Sequence, residues 1–111
     1  MNLQSILEQK LLKLFPDEAQ RHEVQQDLAR YGTAGHEREA VRVRIAILKL
    51  AGTDKSRVRY FVNLAKLDYR DILGPAEYPA QMRSPTWRLP ESEKQPLIQQ
   101  DLEQYEKWLR K

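Results

Sequence analysis

The chain has 111 residues and no cysteine, so it is one domain long, and disulfides, thiolate metal sites and cysteine nucleophiles are excluded. A chain of this size buries roughly two-thirds of its unfolded surface, enough for one core without covalent staples. The net charge is +3, unevenly placed: residues 36–70 hold nine Lys/Arg against Glu37, Glu39, Asp54 and Asp68, while both flanking segments are slightly acidic.

The first fifteen residues show no charged start followed by an unbroken apolar run, and no stretch approaches the ~20 apolar residues of a membrane span. A cytoplasmic protein without a membrane segment is the expectation.

Residues 2–15 predict a first helix, with Leu3, Ile6, Leu7, Leu11 and Leu14 as its stripe. Pro16-Asp17-Glu18 breaks the chain and restarts it, with acids suited to the positive end of a helix dipole. The second helix runs to about Tyr31 on a thin apolar face and is expected on the outside. Gly32 is its expected C-cap. Residues 36–51 alternate like a strand around Val41-Arg42-Val43-Arg44-Ile45. The run is too long for a typical strand, and Ala40, Ala46 and Ala51 favour a nearly surrounded helix. Arg42 and Lys49 then fall to solvent, and Arg44 lies along apolar surface and snorkels.

Residues 54–73 predict a fourth helix, capped by Asp54 and striped by Val58, Phe61, Val62, Ala65, Tyr69 and Ile72. On that helix Asp68 and Asp71 are surface neighbours. Gly74-Pro75 reads as its stop. Residues 74–96 hold five of the six prolines and are expected to be irregular, with Met82, Trp87 and Leu89 either plugged into the core or displayed on an arm for a partner. A last helix from about residue 95 carries Ile98, Leu102, Tyr105 and Leu109. The whole is a single all-α domain, 1–111, of five helices.

Chemistry-bearing motifs are few. His36-Glu37 begins like a zinc-protease pattern, but Ala40 stands where the second histidine belongs. No phosphate loop, nucleophile elbow or dinucleotide glycine run is present, and no cofactor or metal is expected. An acid–base enzyme would have to use Glu77 with Tyr69 or Tyr78, or the Asp68/Asp71 pair. Arg38, Arg42, Lys49, Lys55, Arg57, Arg59 and Lys66 lie on two consecutive helices joined by Gly52-Thr53, the layout of a helix-turn-helix, so nucleic acid is a candidate partner. Against that, residues 55–66 interleave their bases with Phe61, Val62 and Leu64.

The runs AVRVRIAILKLAGTD and RYFVNLAKLDYRDILGPAEYP resemble a group of small bacterial all-α proteins to which no activity is attached. The likeness covers about residues 36–82. It implies a bacterial cytoplasmic origin and makes Asp68, Tyr69, Arg70, Asp71, Glu77 and Tyr78 a candidate interaction site, to which Trp87 is added from the proline-rich segment. The resulting expectation is a non-enzymatic interaction or structural module with a protein partner. A homodimer that buries the apolar faces of the first and last helices is a further expectation.

Overall fold

The computed structural model describes residues 2–83 and 88–111. Trp87, and with it the choice between a core plug and an exposed arm, lies outside them. The described residues form seven helices and no strand: α1 Leu3–Leu14, α2 Glu18–Ala29, α3 Ala40–Ala51, α4 Lys55–Leu67, α5 Arg70–Glu77, α6 Pro79–Arg83 and α7 Glu91–Arg110. The all-helical class is as expected. The count of five is corrected to seven among the described residues.

The starts of the helices follow local capping chemistry. Asn2, Asp17 and Asp54 each accept a first-turn backbone N–H, from Gln4, Gln20 and Ser56 respectively. α3 is the central helix. Val43, Ile45, Ala46, Ile47, Leu48 and Ala51 are all buried, and it packs against α1, α4 and α5. α1 contributes Ile6, Leu7 and Leu11, and α4 contributes Val58, Val62 and Ala65. α2 lies outside, burying only Val24 and Leu28 of its own residues. Its exposed edge runs parallel to α4 along polar rungs: Lys55 to Glu23 at 2.7 Å, Arg59 to Asp27 at 3.5 Å and Arg30 to Asn63 at 2.8 Å.

Several boundaries differ from the sequence expectation. α3 begins at Ala40, not His36, because Glu37 turns inward and organises the preceding loop. Its carboxylate accepts the backbone N–H groups of Gly32, Thr33 and Ala34 at 2.9, 3.2 and 3.5 Å. Lys66 Nζ donates to its other oxygen at 2.9 Å. Glu39 takes the left-handed conformation at φ 52° as the chain enters α3. Gly32, at φ 102°, could not be replaced freely: a Cβ there would sit 2.8 Å from that of Ala40.

The predicted fourth helix is two helices. Asp68 is extended at φ −158°, and its carboxylate accepts the Arg70 backbone N–H at 3.0 Å and grips the Arg70 guanidinium at 3.0 and 2.8 Å. A short side chain that bonds two residues ahead offers the backbone a turn in place of the next helical bond. Asp68 and Asp71 are therefore not neighbours on one helix.

Gly74-Pro75 does not stop the chain either, since α5 runs through to Glu77. A residue before proline normally avoids the helical region because its Cβ meets the ring, and glycine has no Cβ. The carbonyl that loses its donor to Pro75 belongs to Asp71, which is exposed. The described residues of the segment 74–96 are mostly helical, with α6 opening on Pro79 and α7 opening at Glu91, four residues earlier than expected. Proline at the first helical position lacks only an N–H that would be unpaired anyway. Met82 is 60% exposed instead of plugged into the core.

Candidate interaction site

The junction of α5, α6 and α7 gathers two of the four buried charged side chains among the described residues, Glu77 and Asp101. α6 has Pro79 as its first residue, so its first available N–H groups are those of Ala80 and Gln81. No side chain of the preceding segment caps them. Asp101 does so from α7: Ala80 N–H donates to Oδ1 at 2.8 Å and Gln81 N–H to Oδ2 at 3.1 Å, with the Gln81 side-chain amide adding a bond at 2.9 Å. Asp101 is 1% exposed and is the only fully buried residue of α7.

Two cations from α3 complete the junction. Both were expected at solvent, and both are turned inward. The Arg42 guanidinium forks onto Glu77 at 2.9 and 2.6 Å, and also donates to the Tyr78 hydroxyl at 3.0 Å and to Glu39 at 2.7 Å. The buried carboxylate beside it holds the guanidinium well above its already high ordinary pKa. Lys49 Nζ donates to the Ala76 carbonyl at 2.6 Å and to Gln104 Oε1 at 2.7 Å. Burial lowers its pKa, only partly opposed by Asp101 and Glu77. Among the described residues, every buried side-chain nitrogen and oxygen has a hydrogen-bond partner.

Above this polar floor lies a cavity of about 190 Å³ lined by Glu77, Tyr78, Gln81, Ile98, Asp101, Leu102, Tyr105 and Glu106. Ile98, Leu102 and Tyr105 form its apolar wall, and Leu102 is 53% exposed. Burial, reinforced by Glu77, raises the Tyr105 hydroxyl above its ordinary pKa, and the same two causes raise Tyr78. The far end of α7 is held by Lys10 of α1, whose ammonium donates to the Trp108 carbonyl and lies 4.2 Å from the ring centroid. Burial lowers the Lys10 pKa, with help from Lys13 and Lys111.

The sequence candidates divide between two places. Glu77 and Tyr78 belong to this groove. Asp68, Tyr69 and Arg70 line a separate shallow hollow with His36, Ala65 and Leu67, where Asp68 is held below the usual carboxylate range by the Arg70 guanidinium. Asp71 is exposed on the first turn of α5.

The proposed nucleic-acid contacts disperse as well. Arg42 and Lys49 face the junction, Lys55 and Arg59 pair with α2, and Arg57 lies over the Phe61 ring at 5.5 Å. Arg38 is exposed on the loop before α3. Sequence reasoning missed Asp101, Gln104 and Tyr105. The available signal was an aspartate inside the stripe of Ile98, Leu102 and Tyr105, since an acid on an apolar face needs a partner.

No protein-family model, no curated protein and no solved structure matches the chain. None of the described helices is long and apolar enough to cross a membrane.

Proposed function

We propose that the protein is a non-enzymatic interaction module that receives a protein partner in the groove between α5–α6 and α7. The observation that carries this is the cavity beside α7, whose apolar wall of Ile98, Leu102 and Tyr105 ends in an exposed Leu102. This twenty-residue helix buries one residue fully, and that residue is an aspartate, while Leu102 stands more than half exposed beside Ile98 and Tyr105. Contiguous exposed apolar surface rimmed by polar groups is a common mark of a binding site, and a groove along a helix suits another helix.

The acid–base alternative has little left to work with. Glu77 is forked by Arg42, Asp101 is committed to α6, and Lys49 is committed to α5 and Gln104. The nucleic-acid alternative would rest on Arg38, Arg57 and the surface pairs of Lys55 and Arg59.

The test compares the wild type with Leu102→Asp as baits in nuclease-treated lysate of the source cells. The exposed position should leave the melting temperature nearly unchanged, since surface substitutions typically stay within about 0.5 kcal/mol. The wild type should retain a protein partner that the variant loses. Equal retention by both baits would sink the reading.

A further inference from the structure

Resting on that reading, we propose that the occupant of the groove face is a second copy of this chain, paired through α7 in an antiparallel two-fold contact. The row of α7 that borders the cavity contains Ile98, Leu102 and Glu106, four residues apart, and one turn earlier the same row holds Lys94. Residues four apart stack on one face of a helix. This row is self-complementary about its own midpoint between Ile98 and Leu102, at the level of Gln100 along the helix but on the face opposite it. Two copies laid antiparallel across that point bring Lys94 opposite the second copy's Glu106, and Ile98 opposite its Leu102. By symmetry each contact occurs twice. Glu93 and Lys107, just off the row, are matched in the same way.

A two-fold interface requires one surface to complement itself, and a basic–apolar–apolar–acidic row does so only in the antiparallel sense. A parallel pairing sets Lys94 against Lys94 and Glu106 against Glu106, so the charges also select the orientation. Little is given up to form the contact. In the single chain the half-buried Lys94 lies 3.8 Å from the exposed Glu91, and Glu106 lies 3.8 Å from Arg110, both of them exposed, so only two long contacts are loosened. What is gained is the covering of Leu102 and Ile98, with the Tyr78 and Tyr105 edges beside them.

The experiment is sedimentation equilibrium from micromolar to millimolar protein. The wild type should double its mass as concentration rises. Lys94→Glu alone and Glu106→Lys alone each set like charges face to face at two positions, and each should weaken self-association by at least about tenfold. The double variant Lys94→Glu/Glu106→Lys should associate like the wild type, and an equimolar mixture of the two single variants should form mixed pairs. A chain that stays monomeric at every concentration overturns the proposal, and so does self-association indifferent to the single reversals. If that monomeric chain still captures another protein through Leu102, the second copy is wrong and the interaction module stands. If self-association and capture both ignore Leu102→Asp, both readings fall.

Discussion

Asp101→Ala tests whether α7 holds α6 in place. In the native chain the carboxylate serves two backbone donors at the start of α6. Ala80 is 4% exposed, so the N–H it loses cannot readily turn to water, and an unsatisfied buried donor costs about 1–3 kcal/mol. The Gln81 N–H sits at a half-buried residue beside the cavity, so water can replace part of its bond. Its loss resembles that of an ordinary N-cap, about 1 kcal/mol. The Gln81 side chain can rotate to solvent at little cost. The total is about 3 kcal/mol, lowered somewhat because the desolvated carboxylate is gone as well. For a domain of this size that is a fall in melting temperature of roughly 10–15 °C.

Asp101→Asn keeps one acceptor but presents an amide to the other donor, so it should fall between alanine and wild type. Urea denaturation gives the size, and amide exchange gives the location: protection at Ala80 and Gln81 should drop first. A loss below about 0.5 kcal/mol for Asp101→Ala, or unchanged protection at those two amides, would refute the capping argument, because ordinary surface substitutions already span that range.

Two further outcomes follow from the polar groups around α3. Arg42→Met leaves Glu77 buried without its cation. Breaking a fully buried pair costs about 3–5 kcal/mol, but Arg42 keeps 31% of its side chain exposed, so about 2–3 kcal/mol is expected. The double variant Arg42→Met/Glu77→Met should recover to within about 1 kcal/mol of wild type, and a denaturation cycle that shows simple additivity would contradict the pairing. Acid stability should depend on Glu37, whose carboxyl is lowered from 4.5 to about 2 by Lys66 and then by the loop N–H groups. A lowered folded pKa means stabilisation fully present above about pH 4.5 and lost as pH falls toward 2. Glu37→Gln should flatten that part of the stability–pH curve, and an unchanged acid limb in the variant would rule the linkage out.

The parts of the fold legible in the sequence were those set by local pattern: the apolar stripes of α1, α3 and α4, the cap at Asp54, the restart of the helix after Pro16, and the outside position of α2. What escaped were decisions made by partners distant in sequence or by a missing atom. Gly74 lets Pro75 stay helical because it has no Cβ, and Asp101 starts α6 from 20 residues away. The basic centre of the chain was the hardest feature to read. Its meaning depends on helix C-termini, whose last carbonyls lack intrahelical donors and carry the negative end of the dipole. Arg44 donates to the Leu28 and Tyr31 carbonyls and Lys66 to that of Arg30, closing the end of α2. Lys49 closes α5, Lys10 closes α7, and Arg21 bonds the Phe15 and Pro16 carbonyls after α1. Four of the helices thus end on a cation supplied by another helix. Three of those cations, Arg44, Lys49 and Lys66, belong to the +5 segment, so part of a charge that looks available to a polyanion is spent joining helices. The groove on α7 escaped for the complementary reason. Ile98, Leu102 and Tyr105 look like an ordinary core stripe, and only the placement of α7, held by polar clamps at Asp101, Gln104 and Trp108 and by Tyr105, Trp108 and Leu109 packing on the core, leaves Leu102 open to a partner.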